Sequence, residues 1–360
     1  MIRTIIVDDS VVYRTQIRAA IQDLPNIEIL ATASNGKLAL ERLKQSEVDL
    51  VILDLEMPEM DGLTTLKEMA KLGVKAKVLV FSSASKRGSE VTMEALKAGA
   101  SDFITKPDGT QSADKKPDEL IRDLLAPKIM ALFNKEPVKK VDSLEQKTRN
   151  EFPNLLWGLF APDIVVIGSS TGGPTVLEKI FSQISGDLLC PIVIAQHMPP
   201  IITATLAERI SKLCGIPAKE AQDGELLKNQ IYIAPGDYHL RLQGTKGQVK
   251  LVLDQGPQIN SVRPAVDPLF ETASSIFKNK CLAFVLTGMG MDGKAGAISV
   301  KKNGGAVVIQ EEKSCVVFGM PGAVFQSGAY DRIEKPEEII EILRDKVAPY
   351  GKKNDVKEHS

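Results

Sequence analysis

The feature that most constrains this chain is an alternation of short apolar runs with amphipathic stretches, repeated on either side of a polar interval. Such alternation argues for βα units and a parallel sheet. The first series runs through an apolar segment at Thr4–Val7, a helical pattern from Val11 to Leu24, a second run at Glu28–Ala31 and a helix to Lys44. Runs at Leu50–Leu53 and Lys77–Phe81, each followed by a helical pattern, and a short strand at Asp102–Thr105 bring the count to five βα units. The last helix starts after Pro117, with apolar positions Leu120, Ile121, Leu124, Leu125, Ile129 and Leu132. Pro127 falls inside that pattern and is expected to kink or shorten it.

From about Asn134 to Asn154 the sequence turns to Lys, Glu, Gln, Asp and Pro, which reads as a solvated linker. The expected organisation is a first domain over 1–134, a linker over 135–160, a second α/β domain over 161–350 with a mostly parallel, doubly wound sheet, and a frayed polar tail over 351–360. The second domain has β-like runs at Ile164–Ile167, Pro191–Ala195, Gln230–Ala234, Val249–Leu253, Leu282–Leu286 and Ala306–Ile309. A net charge of −1 with scattered Lys and Arg gives no basic stripe, so nucleic acid is excluded as a partner. Cys190, Cys214, Cys281 and Cys315 form no CxxC pair and read as buried thiols in a reducing compartment. Acidic Asp8 and Asp9 interrupt the start before a signal core forms, and no apolar run approaches the ~18 residues that span a bilayer. The expectation is a soluble, cytoplasmic protein without membrane insertion.

In an open parallel sheet, binding groups gather at the carboxyl ends of strands. Asp8 and Asp9 end the first strand, Asp54 the third and Ser82 the fourth, while Lys106 follows the fifth. Three crowded carboxylates repel one another unless a cation holds them, and hard oxygen ligands suit Mg²⁺. Asp54 is then the nucleophile toward phosphorus, forming an acyl phosphate whose oxygens Mg²⁺ and Lys106 neutralise and the Ser82 hydroxyl contacts. A lone Asp at a strand end is usually a turn residue, but the ensemble is hard to obtain by chance. Asp8-Asp9, Asp54 before Met57-Pro58-Glu59-Met60-Asp61-Gly62, Ser82-Ser83, and Phe103 before Lys106-Pro107 together resemble the response-regulator receiver domain over roughly residues 1–130. That resemblance implies a flavodoxin-like five-stranded sheet, a metal site of Asp8, Asp9, Asp54 and the Glu56 carbonyl, a switch pair of Ser82 and Phe103, and a histidine kinase as phosphodonor.

In the second domain, Ile164–Ile167 runs into Gly168-Ser169-Ser170-Thr171-Gly172-Gly173-Pro174, followed by a helical pattern. Residues 168–172 fit G-x-S-x-G in a strand-turn-helix setting, which exposes the central serine, so Ser170 is the candidate nucleophile. No G-x-G-x-x-G is recognised and no Lys follows the glycines, so the Rossmann and Walker readings both fail. For the base, His359 lies in the tail, leaving His197 at a strand end and His239 in a turn between strands; position favours His197 without removing His239. Asp292, in the Gly-rich loop Thr287–Gly293 after a strand, is the candidate orienter of the imidazole.

The order Ser170, His197, Asp292 differs from that of α/β-hydrolases. The segments G-S-S-T-G-G, Q-H-M-P-P, A-P-G-D, R-P-A-V-D, L-T-G-M-G-M-D-G and S-C-V-V-F-G-M-P resemble the chemotaxis protein-glutamate methylesterase family, over about residues 1–350. The resemblance implies catalytic Ser170, His197 and Asp292, the Met289 N–H in the oxyanion hole, no cofactor in the catalytic domain, methyl-accepting chemotaxis receptors as substrate, and deamidation of receptor glutamines. Ser169 stands where the family often has alanine, a change expected to leave the turn intact. Thr171, Arg263 and Asp267 are candidates for a substrate groove, the alternative for the last two being a structural ion pair.

Overall fold

A computed structural model describes residues 1–83, 85–107, 115–133 and 154–348, the last stretch with side chains from Trp157 onward. The expected polar linker from 135 to 153 and the tail from 351 lie outside the described residues. The chain divides into two compact units, Met1–Glu136 and Pro137–Ser360. Among the described residues, no helix is long and apolar enough to cross a membrane.

The first unit alternates strictly: β1 (Ile2–Val7), α1 (Val11–Ile21), β2 (Ile27–Ala33), α2 (Gly36–Gln45), β3 (Leu50–Leu53), α3 (Gly62–Lys71), β4 (Lys77–Ser82), α4 (Lys86–Lys97), β5 (Asp102–Thr105) and α5 (Pro117–Phe133). The strands form one parallel sheet in the order β2-β1-β3-β4-β5. Leu50 to Leu53 are buried on both faces, as expected for a central strand covered by helices on each side. Ser10, Asn35, Asp61 and Ser85 cap α1 to α4 by accepting a backbone N–H of the first turn. Pro127 does not shorten α5, which runs through it for 17 residues. Ile121, Leu125, Ile129 and Leu132 form a continuous buried stripe on that helix, and its packing outweighs the backbone bond lost at the proline.

In the second unit, α6 (Asn154–Leu159) precedes β6 (Ile164–Ser169), α7 (Gly173–Phe181), β7 (Ile192–Gln196), α8 (Ile202–Cys214), β8 (Ala218–Glu220) and β9 (Ile231–Ile233). A hairpin of β10 (His239–Thr245) and β11 (Gln248–Asp254) follows, then α9 (Val266–Phe277), β12 (Cys281–Val285), α10 (Lys294–Lys302), β13 (Ala306–Gln310), α11 (Met320–Ser327), β14 (Arg332–Glu334) and α12 (Pro336–Lys346). Seven parallel strands are ordered β14-β13-β12-β6-β7-β9-β8, and β10-β11 forms a separate antiparallel pair. The run at Val249–Leu253 therefore belongs to a side hairpin, and His239 opens a strand instead of lying in a turn. The end of the expected linker is also structured. Trp157 stacks on Phe160 at 5.8 Å, Arg332 lies over its ring, and Lys346 donates to the Gly158 carbonyl, so this segment is part of the second unit.

In each sheet the chain first builds outward from one strand and then returns to its other side. The reversal falls between β1 and β3 in the first unit and between β6 and β12 in the second. A crevice opens at such a switch point beyond the strand ends.

Candidate functional sites

At the β1/β3 switch point, Asp8 and Asp54 are 0% and 3% exposed. Lys106 Nζ lies 2.9 Å from Asp8 Oδ2 and 2.8 Å from Asp54 Oδ2, with its ammonium 4.5 Å from the centre of the Tyr13 ring. Asp54 Oδ1 accepts from the Leu55 N–H at 2.8 Å and more weakly from the Glu56 N–H at 3.4 Å. Burial pushes the Asp54 carboxyl up to about 6, against the attraction of Lys106 and with the help of the Asp8 charge. Lys106 is raised instead: burial lowers it, but the two carboxylates it serves outweigh that. The two shifts do not conflict, since one ammonium is shared by two acids.

Carboxylate oxygens of Asp8, Asp9 and Asp54 lie within 4.8 Å of one another. Asp8 Oδ2, although close to Lys106, is buried without a well-directed hydrogen bond. Three hard oxygens and an under-satisfied lone pair fit a divalent cation such as Mg²⁺. The switch candidates are both buried: Ser82 Oγ pairs with Thr92 Oγ1 at 2.7 Å, and the Phe103 ring lies under Lys128 Nζ at 5.6 Å.

In the second unit, Ser170 follows β6 and His197 follows β7, two adjacent strands whose last paired residues are Ser169 and Gln196. Their side chains also join: Ser169 Oγ donates to Gln196 Oε1 at 2.6 Å, and Gln196 Nε2 donates to the carbonyls of Ser170 (3.0 Å) and His197 (3.2 Å). Ser169 thus leaves the turn intact and adds a cross-strand tie between the residues preceding the two candidates. His197 Nε2 lies 2.8 Å from Asp292 Oδ2, which leaves Nδ1 as the other ring nitrogen. Ser170 Oγ makes no hydrogen bond to another described residue.

Asp292 is 1% exposed and surrounded by donors. Besides His197, it accepts from the N–H groups of Val266 (2.5 Å) and Asp267 (3.1 Å) at the start of α9, from the Gly293 N–H (3.0 Å) and from Asn260 Nδ2 (3.1 Å). Burial alone would raise this carboxyl, but the bonds from His197 and the α9 amides hold it below the ordinary range. Asn260 has no counterpart in the sequence reading. It is the first residue of a two-residue turn in which Asn260 and Ser261 both have positive φ (53° and 64°), closed by reciprocal Ile259–Val262 backbone bonds.

His239 is placed elsewhere. It is buried, its Nδ1 accepts from the Ala265 N–H, and its Nε2 therefore carries the proton donated to the Pro257 carbonyl at 3.0 Å. Arg263 and Asp267 are not paired with each other. Arg263 binds Asp237 at 2.6 Å and the carbonyls of Gln255 and Gly256. Asp267, a groove candidate, is 7% exposed and accepts from the Gly296 N–H and Asn260. Burial pushes its carboxyl up to about 6, opposed by the Gly296 bond and assisted by the charge of Asp292. Thr171 is buried as well, and its carbonyl accepts from Thr287 Oγ1.

Thr287 holds the two loops of the site together. Its carbonyl accepts from the Ser170 N–H at 3.0 Å, and its hydroxyl receives the N–H groups of Val316 and Val317. Gly288 then packs directly on Ser170: a Cβ there would lie 2.7 Å from Ser170 Cβ and 2.4 Å from Met320 Sδ, so only glycine fits. Residues 288–293 do spell G-x-G-x-x-G between a strand and a helix, a match that the sequence reading passes over. Here the first glycine serves contact with Ser170 and the Asp292 carboxylate folds back onto α9, so the loop is committed to this centre.

A five-stranded receiver-type unit with a carboxylate-lysine site, ahead of a doubly wound unit with Ser, His and Asp at strand ends, defines a two-domain, receiver-linked hydrolase class. The model of the CheB methylesterase family matches residues 165–343, and that of the response regulator receiver domain matches residues 4–115. The protein-glutamate methylesterase/protein-glutamine glutaminase of Trichodesmium erythraeum (strain IMS101) is 40% identical over 350 residues, covering 94% of this chain and 98% of its own. Its counterpart in Thermotoga maritima is 38% identical over 348 residues, covering 95% and 99%. The crystal structure of the Thermotoga maritima CheB methylesterase catalytic domain aligns with 51% of this chain and 99% of its own at 46% identity, with a TM-score of 0.48. The chain belongs to the protein-glutamate methylesterase/protein-glutamine glutaminase family.

Proposed function

We propose that this chain hydrolyses glutamate γ-methyl esters on methyl-accepting chemotaxis receptors and deamidates receptor glutamines, under control of phosphorylation at Asp54. The observation that carries this reading is the grouping of Ser170, His197 and Asp292 at the switch point of the second sheet, in a chain that also carries a receiver-type carboxylate site.

As the Ser170 hydroxyl attacks the γ-carbonyl carbon, its proton passes to the His197 ring nitrogen that does not face Asp292. Asp292 stabilises the imidazolium, and the Met289 N–H holds the oxyanion of the tetrahedral intermediate. Collapse breaks the ester bond, and methanol leaves with the proton from His197. Water, deprotonated by the same imidazole, attacks the acyl-enzyme and frees the receptor carboxylate. With a glutamine substrate the leaving group is ammonia, so one site serves both reactions.

In the receiver, the Asp54 carboxylate takes a phosphoryl group from a histidine kinase. Asp8, Asp9, Asp54 and the Glu56 carbonyl would hold Mg²⁺, which would supply positive charge to neutralise the phosphoryl oxygens. Lys106 adds a fixed positive charge, and Ser82 and Phe103 respond to the new group. Control of the esterase requires that the phosphorylated and unphosphorylated receiver stabilise its active state unequally. Methanol release from a methylated receptor fragment, with and without a small phosphodonor and Mg²⁺, tests the whole reading. Ser170→Ala should remove the release, and release persisting near the native rate would overturn it.

A further inference from the structure

The segment Ser314–Pro321 is a sequence motif for which the chemistry above has no use, yet it grips the loop that follows β12. The Gly288 N–H donates to the Val317 carbonyl at 3.0 Å. On its other side, the Gly288 carbonyl accepts from both the Gly319 N–H (3.0 Å) and the Met320 N–H (2.9 Å), the amides of the N-cap and first residue of α11. Gly319 must be glycine for this approach: a Cβ there would lie 2.8 Å from the Gly288 oxygen and 2.8 Å from the Gly290 nitrogen. Its own dihedrals are ordinary helical ones, so contact alone imposes the requirement.

A trans peptide is planar, and its C=O and N–H point in opposite directions. Fixing the Gly288 oxygen therefore fixes the Met289 N–H, which points away from α11 and donates to no acceptor among the described residues. We propose that the N-terminus of α11 is the positioning element of the oxyanion hole, with Gly319 and Met320 holding the Gly288–Met289 peptide so that its N–H is preset for the tetrahedral intermediate. The proposal rests on the reading of Met289 as the oxyanion donor. Flipping this peptide would strand two helix-terminal donors and turn a carbonyl toward the developing negative charge. The effect of weakening the grip belongs to the transition state, so it should appear in kcat and leave KM alone.

Positions 289 and 320 are both methionine, so one reagent tests both. The α-hydroxy analogue of methionine, installed in the full-length protein, replaces a single N–H by an ester oxygen and keeps the side chain. At position 289 it should lower kcat for methanol release by about 10²-fold or more, as loss of an oxyanion-hole donor does. At position 320 it removes one of the two donors on the Gly288 carbonyl and should lower kcat by roughly 3- to 10-fold with KM unchanged. Gly319→Ala should lower kcat by about 10-fold or more, again without raising KM. If the 289 ester is impaired while the 320 ester and a folded Gly319→Ala both keep kcat within twofold, the positioning role is wrong and Met289 stands. If the 289 ester itself keeps kcat, the Met289 reading falls and the positioning role falls with it. Should Gly319→Ala fail to fold, the 320 ester decides alone. A rise in KM at constant kcat in either variant also overturns the proposal.

Discussion

Asp54 and Asp292 are both buried aspartates near the switch point of a parallel sheet, and their surroundings treat them in opposite ways. Asp54 shares one ammonium with Asp8, and burial pushes it up to about 6. Asp292 is just as buried, but bonds from the His197 ring, three backbone N–H groups and Asn260 hold it below the usual carboxylate range. Asp54, the proposed acceptor of a cation and a phosphoryl group, has few donors, whereas Asp292, the proposed orienter of His197, is ringed by them. The same fold principle therefore yields one sparsely coordinated carboxylate and one fully coordinated one, according to the number of donors that the surrounding loops supply.

The largest effect expected on the catalytic side is from Ser170→Ala, which should reduce methanol release by roughly 10⁶-fold with folding preserved. Next, Asp292→Asn should cost about 10⁴-fold in kcat, because an amide sets the wrong histidine tautomer. Every neighbour of Asp292 is a donor, so the new NH₂ must also face an N–H, and the domain should lose stability. Asp54→Asn should do the reverse in metal-free protein, stabilising the receiver by about 1–3 kcal/mol in urea melts at pH 7.5, since it removes a charge that burial opposes. Equal signs for the two substitutions would break the comparison. Asp54→Asn should also abolish acceleration of methanol release by phosphodonor.

Smaller effects sharpen the picture. His239→Ala should keep most of kcat but destabilise the catalytic domain by about 1–3 kcal/mol, because the Ala265 N–H and the Pro257 carbonyl lose their partner. Thermal melts beside methanol assays separate this from the catalytic loss expected for His197→Ala. Asp267, raised to about 6 by burial, gives a pH signature. Its folded pKa exceeds the ordinary value near 4, so the stability it contributes is complete below pH ~4 and lost as pH rises through ~6. Asp267→Asn should remove that slope and leave the variant about 1–2 kcal/mol more stable than the parent at pH 7.5, relative to pH 4.5.

The residues expected to carry chemistry were legible because parallel sheets put loops at strand ends, and both the apolar runs and the polar residues closing them are local signals. Asp8, Asp54, Ser170 and His197 all occupy such positions. What escaped detection depends on contacts distant in sequence. The strands β8 and β14 are three residues each and half-exposed, too short to show a period. Asn260 reaches Asp292 across 32 positions and Thr287 reaches Thr171 across 116, and no spacing announces either. Pro127 misled in the other direction, since a local rule about helix breaking lost to four buried side chains on one face.

The bond between Ser169 and Gln196 bears on how this centre could be transplanted. Each residue stands immediately before a candidate catalytic group, on a different strand, and neither side chain is satisfied without the other. A nucleophile turn grafted alone onto another parallel sheet would leave the Ser169 hydroxyl buried and unmatched, and the Ser170 carbonyl would keep only the Gly173 N–H of its own turn. The smallest portable piece is accordingly two neighbouring strand ends in register, moved together as a cassette, and a designer who keeps only the G-x-S-x-G stretch should expect a serine in the wrong place.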